Sequence, residues 1–96
     1  MPSNSVANTI LSQLGGRRFI IMTGAKHFID NGSGLSFHIP TNNKNRITGI
    51  RIELNGTDLY DLFFYKKFDL FKEYNDIYND QLQEIFTRET GMFTRL

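Results

Sequence analysis

The Asn-Gly pair at residues 55–56 constrains the fold most, because it separates two segments with the character of paired strands. Ile50, Ile52 and Leu54 occupy alternate positions before the pair, and residues 59–65 are rich in apolar and aromatic residues after it. Asn-Gly is the preferred sequence of a two-residue type I′ turn, whose central residues take positive φ. The sequence therefore predicts a β-hairpin, and with it an antiparallel sheet.

Two more strands and a turn are predicted upstream of this hairpin. The apolar run in residues 17–23 is too short for a helix between glycines and predicts a strand, which His27–Ile29 continues after Gly24. Residues 30–34 predict a tight turn. Leu35, Phe37 and Ile39 then alternate with polar residues, so these three side chains are expected to face the core.

The segment downstream of Ile39 predicts a loop and one further β-segment. Pro40 ends the strand, and residues 41–45 form a polar loop without an apolar anchor. Residues 68–74 predict a strand, although Lys66-Lys67 is a poor tight turn. A helix is the competing assignment for residues 68–74.

Two helices are predicted to bracket the strands. Ser3 or Ser5 can cap the first helix, which Gly15-Gly16 ends, and its apolar residues recur at helical spacing: Val6, Ala7, Ile10, Leu11 and Leu14. Asn79 or Asp76 can cap the second helix, which Thr90-Gly91 ends. Its apolar stripe and the tail expected to dock behind it comprise Leu82, Ile85, Phe86, Met92, Phe93 and Leu96.

These elements predict an α+β fold of two layers, in which an antiparallel sheet of four to five strands carries an N-terminal and a C-terminal helix on one face. We expect residues 1–96 to form a single domain with a Phe-rich core, since the chain has nine Phe and four Tyr but no Trp. The absence of Cys excludes disulfides and thiolate metal sites. The N-terminal residues resemble neither a signal peptide nor a membrane anchor, so a cytoplasmic protein is expected.

Charge is divided unevenly along the chain. Residues 1–52 contain six Lys or Arg and one acid, whereas residues 53–96 contain five Lys or Arg and nine acids. Either half can form a surface for a macromolecule of opposite charge. The alternative is that the two halves pair internally, which would give the division no role in binding.

The charge division defines two candidate sites. An acidic face for a basic protein partner would use Asp58, Asp61, Asp69, Asp76, Asp80 and Glu84. A nucleic-acid surface would use Arg17, Arg18, Lys26, Lys44, Arg46 and Arg51.

A related hypothesis concerns the sheet face that the helices leave open. Its predicted residues mix cations with rings, an arrangement that can bind phosphates and stack bases: Arg18, Arg51, Lys72, Tyr60 and Phe64. A solvated face with scattered aromatic residues is the simpler reading, and the sequence favours it.

Catalytic chemistry finds little support in the sequence. Gly24-Ala25-Lys26 lacks the longer glycine-flanked loop and the Ser or Thr of a phosphate-binding motif, so a plain turn is favoured. His27 and His38 have no acids at metal-ligand spacing. Asp58 and Asp61, three residues apart on a strand, would point to opposite faces. We therefore expect no enzyme, metal or cofactor.

Several short motifs spread over nearly the whole chain resemble a family of small proteins encoded by bacteriophages and integrated mobile elements. They are Leu14-Gly15-Gly16-Arg17-Arg18-Phe19, Met22-Thr23-Gly24-Ala25-Lys26, Leu35-Ser36-Phe37-His38-Ile39-Pro40, and residues 78–86 running into Thr90-Gly91-Met92. The resemblance implies an accessory protein that acts in the cytoplasm of a bacterial host. No activity, cofactor or site residue comes with it.

The sequence leaves three classes of function open. The favoured class is a non-enzymatic interaction module that binds a host or phage protein, with inhibition of a host or defence protein as one form. A small nucleic-acid-binding protein that uses the basic N-terminal half is the alternative, and an enzyme is the least supported class. A homodimer is compatible with all three, since the late β-segment can leave a free sheet edge.

Overall fold

A computed structural model describes residues 5–94 and contains one five-stranded antiparallel sheet with helices at both ends of the chain. The strands follow one another in space in their chain order. They are β1 (Lys26–Asp30), β2 (Gly34–His38), β3 (Gly49–Leu54), β4 (Tyr60–Lys66) and β5 (Asp69–Ile77). The helices are α1 (Val6–Leu14) and α2 (Arg17–Thr23) before the sheet, and a 3₁₀ turn (Asn79–Gln81) that leads into α3 (Leu82–Thr90) after it. The predicted α+β class is confirmed.

The helices cover one face of the sheet with a core built around three phenylalanines. Phe19 of α2 meets Phe37 of β2 and Phe86 of α3 edge-on, with ring centroids 5.5 and 5.1 Å apart. All three rings are fully buried. Edge-to-face contacts of this kind add to the hydrophobic gain from burial. The core is thus Phe-rich, as its composition predicts.

The cross-strand pairs separate the sheet into an inner and an outer face. Leu35 pairs with Ile52, and Ile52 pairs with Leu62; all three side chains are buried toward the helices. Phe37, Ile50 and Phe64 repeat this pattern one pair further along, and Ile39 is buried just beyond β2. The predicted inward positions of residues 35, 37 and 39 are confirmed. The residues between them must point to the outer face, because strand side chains alternate.

The predicted strand at residues 17–23 is wrong, because this segment forms α2. Gly15 and Gly16 both take positive φ and reverse the chain after α1, as the predicted stop requires, and a new helix begins directly. Phe19 and Thr23, one helical turn apart, are buried, while Ile21 is 73% exposed. Gly24 caps the helix in the left-handed region, and β1 begins at Lys26.

The hairpin of β3 and β4 is confirmed, but its turn differs from the predicted one. Leu54 pairs with Tyr60, and Asn55 N–H donates to the Leu59 carbonyl, which leaves Gly56, Thr57 and Asp58 as a three-residue loop. Asp58, with φ of 62°, takes the left-handed conformation, whereas Gly56 does not. This arrangement is typical of a three-residue hairpin loop, in which a left-handed residue follows the turn.

The loop geometry predicts that Val lowers the free energy of unfolding at residue 58 but leaves it nearly unchanged at residue 56. Asp58→Val forces a β-branched residue into positive φ and is expected to lower the free energy of unfolding by about 1–3 kcal/mol. Gly56→Val is expected to change it by less than about 0.5 kcal/mol, since an added Cβ contacts nothing within 4 Å. Urea unfolding of both variants measures the difference. Equal losses would contradict the assigned loop.

The strand assignment of residues 68–74 is confirmed, since they lie within or directly before β5. Lys66 pairs with Asp69 across a tight turn that is accommodated by a positive φ of 58° at Lys67. β5 forms one edge of the sheet, and Phe68 in the preceding turn is 98% exposed. A homodimer formed through this edge stays a prediction.

The helix caps confirm some expectations and correct others. The Ser5 side chain accepts a hydrogen bond from Asn8 N–H at 3.1 Å and so caps α1; Ser3 lies outside the described residues. Tyr78, rather than Asn79 or Asp76, is the cap residue of the 3₁₀ turn before α3. Gly91 ends α3 as predicted. Of the tail, Met92 packs on the core, Phe93 is exposed, and Leu96 lies outside the described residues.

Asparagine side chains anchor the β2–β3 loop. The sequence predicts a polar loop without an apolar anchor, and it did not indicate these hydrogen bonds. The buried Asn43 side chain donates to the Pro40 and Ile47 carbonyls and accepts from Ile47 N–H. Asn45 Nδ2 donates to the Glu89 carbonyl at 2.6 Å. Lys44 N–H donates to the Thr90 carbonyl. The loop thereby satisfies carbonyls that the end of α3 leaves without helical partners.

Candidate functional site: the outer face of the sheet

The outer face carries three rows of side chains that run across the strands. The upper row contains one residue from each strand: Lys26, His38, Gly49, Tyr65 and Leu70. The middle row contains Ile29, Ser36, Arg51, Phe63 and Glu73. The lower row contains Gly34, Glu53 and Asp61. The described helices pack on the opposite face, so these rows form an open surface.

A groove of about 230 Å³ lies over the middle of the upper row. Gly49 forms its floor, and His38 and Tyr65 are its cross-strand neighbours on either side. Arg51 and Lys67 also line the groove. It therefore combines two rings with two cations around a position that has no side chain.

Cations stack on aromatic rings at several points of the sheet. The Arg51 guanidinium lies 4.4 Å from the centroid of Phe63, its partner in the middle row. The Lys66 ammonium lies at the same distance from Phe71. Such contacts place the cationic group itself over the ring face, and its remaining N–H groups can still donate to a ligand. Arg51 Nε is buried without a hydrogen-bond partner.

The two ends of the sheet differ in charge. The end at the upper row, here the basic end, comprises the turn, strand and loop cations Lys26, Lys44, Arg46, Lys66 and Lys67, with Asp69 nearby. The opposite end, here the acidic end, comprises Asp30, Glu53, Asp58, Asp61 and Asp76. Asp30 lies in the basic half of the sequence, and Lys66 and Lys67 lie in the acidic half. In the fold, however, Asp30 lies at the acidic end of the sheet and both lysines lie at the basic end. The fold therefore places most of the cations and most of the acids of the sheet at opposite ends.

Carboxylates at the acidic end take part in the protein's own hydrogen bonds. Glu53 accepts from the Ser33 hydroxyl at 2.8 Å and from Asn31 Nδ2 at 3.3 Å. Asp61 accepts from Asp76 N–H and from Asn55 Nδ2, both at 3.1 Å. Asn55 also donates to Asp76 at 2.9 Å. These acids hold the hairpin loops in place, a role that needs no external partner.

The cations are largely free of such bonds. Within residues 5–94 the one ion pair joins Arg88 to Glu84 on α3, at 2.9 Å. The expected alternative, in which the basic half pairs with the acidic half, is therefore wrong for the described residues. Lys44 is the exception among the basic-end cations, because its Nζ donates to the Arg88 carbonyl at 3.4 Å.

The predicted acidic site is divided among three places. Asp58, Asp61 and Asp76 share the acidic end, whereas Asp69 begins β5 at the basic end. Asp80 and Glu84 line a separate cleft of about 570 Å³ beside α3, together with Phe93. The six residues therefore do not form one face.

The predicted basic site is also divided, although four of its six residues lie on the sheet or at its basic end. These are Lys26, Lys44, Arg46 and Arg51. Arg17 and Arg18 instead begin α2 and line a cleft of about 650 Å³ with Ile21 and Met22. Sequence reasoning missed Lys66 and Lys67, which complete the basic end, because they lie in the acidic half of the chain.

The predicted composition of the open face needs correction. Tyr60 and Phe64 are buried in the core, and the rings of the open face are Phe63 and Tyr65. Arg18 lies on α2 rather than on the sheet, and Lys72 pairs with the inward-facing Phe64 at the edge. Arg51 is correctly placed.

The two histidines are exposed, and the sequence did not predict that they meet. Their rings lie 5.5 Å apart near the upper row, because β1 bulges at His27, which has φ of 59°. Residues 5–94 contain no group of three His, Asp or Glu side chains that could hold a metal ion.

The segment Gly24-Ala25-Lys26 joins α2 to β1. Gly24 is the C-terminal cap of α2, and Lys26 is the first residue of β1.

Two tyrosines on the inner face have perturbed ionisation. Burial raises the pKa of Tyr74, and the hydrogen bond that its hydroxyl donates to Glu89 of α3 raises it further. Burial also raises the pKa of Tyr60. Both side chains lie on the side of the helices and contribute to packing rather than to the open surface.

Comparison of the chain with protein-family models, curated proteins and solved structures gives no match. The resemblance to a phage and mobile-element family stays a prediction. The described helices include none that is both long enough and apolar enough to span a membrane.

Proposed function

We propose that the protein is a non-enzymatic interaction module that binds single-stranded nucleic acid on the outer face of its sheet, at the upper row. One contrast carries this proposal: several carboxylates of the acidic end are used internally, whereas most cations around the upper row have no carboxylate partner. A surface of unpaired cations attracts a polyanion, because binding releases the counterions of the phosphates.

The rings favour a single strand over other polyanions. His38, Tyr65 and Phe63 lie among the cations on an open antiparallel face. Exposed bases of a single strand can stack on such rings, while bases inside a duplex cannot reach them. A flat sheet face also lacks the projecting element that enters a duplex groove.

The proposal predicts saturable, salt-dependent binding of a labelled single-stranded oligonucleotide of roughly ten nucleotides. The logarithm of the association constant should fall linearly with the logarithm of salt, with a slope of about −0.7 for each phosphate contacted. Fluorescence anisotropy measures this slope, and a duplex of equal length serves as the control. Absence of binding at low salt, or equal affinity for the duplex, would count against the proposal.

A protein partner is a second candidate, favoured by the cleft beside α3. There Asp80 and Glu84 flank Phe93, which is 69% exposed. An exposed ring with an acidic rim suits a basic protein surface, and inhibition of a host or defence protein in a bacterial cytoplasm is the form that we propose for it. Exchange of Asp80 and Glu84 for Lys removes the rim and leaves the upper row unchanged, so it separates the two candidates.

A further inference from the structure

We infer that Gly49 forms a slot in which a single base inserts between His38 and Tyr65, with the nucleic-acid strand running across the β-strands along the upper row. This inference rests on the proposed function and specifies how the same surface is used. Gly49 would admit a base because it has no side chain, and the bound strand would follow the upper row.

The spacing of the strands leaves room for one ring once the His38 ring, whose Cδ2 lies 3.3 Å from where a Cβ of residue 49 would be, turns away from Gly49. Neighbouring strands lie about 4.8 Å apart, so His38 and Tyr65, on either side of Gly49, start about 10 Å apart. A planar ring midway between them would lie about 5 Å from each, within the range of stacked or tilted aromatic pairs. Any side chain at residue 49 would occupy this space.

The fold itself does not require glycine at residue 49. A Cβ there would meet the His38 ring at 3.3 Å and no backbone atom closer than 3.7 Å, and the backbone does not take positive φ. Gly34 in the lower row provides the contrast, because a Cβ there would clash with the Ile52 carbonyl oxygen. Glycine weakens a strand interior, and at residue 49 its missing side chain leaves the space toward which the His38 ring leans and which a base would enter.

The charges determine the direction of the bound strand. Glu53 and Asp61 in the lower row repel phosphates, so a strand laid along the β-strands would meet the acidic end. A strand laid along the upper row passes from Lys26 on β1 to Lys66 at the end of β4 and Lys67 in the turn that follows. That path is about 19 Å from β1 to β5, which corresponds to a short site of about four nucleotides.

The test compares Gly49→Val with Gly56→Val, which adds the same group in the β3–β4 loop. Gly49→Val is expected to keep or raise the melting temperature, since Val favours strands and the exposed His38 ring can shift. Its affinity for an eight-nucleotide thymidine oligomer should fall at least about tenfold, with the salt slope unchanged because no phosphate contact is lost. Gly56→Val should bind like the wild type.

The outcomes separate the slot from the proposed function. If the wild type binds no oligonucleotide, the proposed function fails and the slot falls with it. If Gly49→Val is folded and binds like the wild type, the slot is overturned and the proposed function stands. Competition by a mononucleotide at the same concentration as the oligomer would overturn the path along the upper row.

A second pair of variants covers the case in which Gly49→Val does not fold. His38→Leu and Tyr65→Leu remove the two walls of the slot and leave its floor intact. Each is expected to weaken oligonucleotide binding severalfold without changing the salt slope. Wild-type affinity in both would overturn the inference.

Discussion

Replacing Phe86 with Ala is expected to lower the free energy of unfolding by about 3–5 kcal/mol, the largest effect of any substitution considered for this fold. Phe86 is 1% exposed and meets Phe19 edge-on, which in turn meets Phe37. Truncation therefore leaves a cavity where α2, α3 and the sheet come together. A domain of this size is stabilised by only about 5–15 kcal/mol, so the variant should be close to unfolding.

Phe93→Ala is the matched control, because it removes the same ring from a position that is 69% exposed. Its expected cost is below about 0.5 kcal/mol. Equilibrium urea unfolding at a common m value gives both numbers. If Phe86→Ala unfolded at the wild-type midpoint, the three-ring core described here would be incorrect.

The parts of the fold that the sequence predicts correctly are those in which local pattern and burial agree. Leu35, Phe37 and Ile39 alternate and are all buried, because one side of β2 faces the helices along its whole length. Leu82, Ile85 and Phe86 recur at helical spacing and pack on the same core. In each case a single periodicity specifies the buried face.

The segment of α2 escaped prediction because its pattern has too few positions to define a period. Four consecutive apolar residues, 19–22, resemble a buried strand, yet Phe19 alone is fully buried and Ile21 is exposed. The decisive feature is tertiary, since the Gly15-Gly16 reversal places Phe19 against Phe37 and Phe86. Local propensity cannot contain that information.

The error in the open face follows from the error in the turn. A two-residue turn at Asn55-Gly56 would pair Leu54 with Thr57, and this register would place Tyr60 and Phe64 on the outer face. The observed loop pairs Leu54 with Tyr60 instead, a shift of three residues. An odd shift exchanges the two faces of a strand, so Tyr60 and Phe64 become core residues while Phe63 and Tyr65 become exposed to the open face.

The candidate site could not be located from the sequence for the same reason. The upper row takes one residue from each of five strands, and its composition depends on every cross-strand register at once. Of its residues and their neighbours, the sequence identified Lys26 and Arg51 as candidates. Gly49, Tyr65 and Lys67 have no local signature, because their significance lies in being adjacent across the sheet.

Reversing the charge of Lys26, Lys66 and Lys67 to Glu is expected to abolish oligonucleotide binding at moderate salt. All three side chains are exposed, and none is in an ion pair with a described residue, so the fold should tolerate the change. If each cation contacts one phosphate, the salt slope should also lose about 0.7 for each contact removed. Anisotropy titrations at several salt concentrations measure both effects.

The matched control reverses Arg17, Arg18 and Lys72, which gives the chain the same net charge but changes no residue of the basic end. If attraction depended only on net charge, both triple variants would lose the same amount of oligonucleotide affinity. A site at the upper row predicts instead that the control keeps a measurable affinity that falls steeply with salt. Loss confined to the control would move the working surface to the cleft beside α2. The comparison therefore tests where the surface lies independently of how its slot is used, since neither variant alters His38, Gly49 or Tyr65.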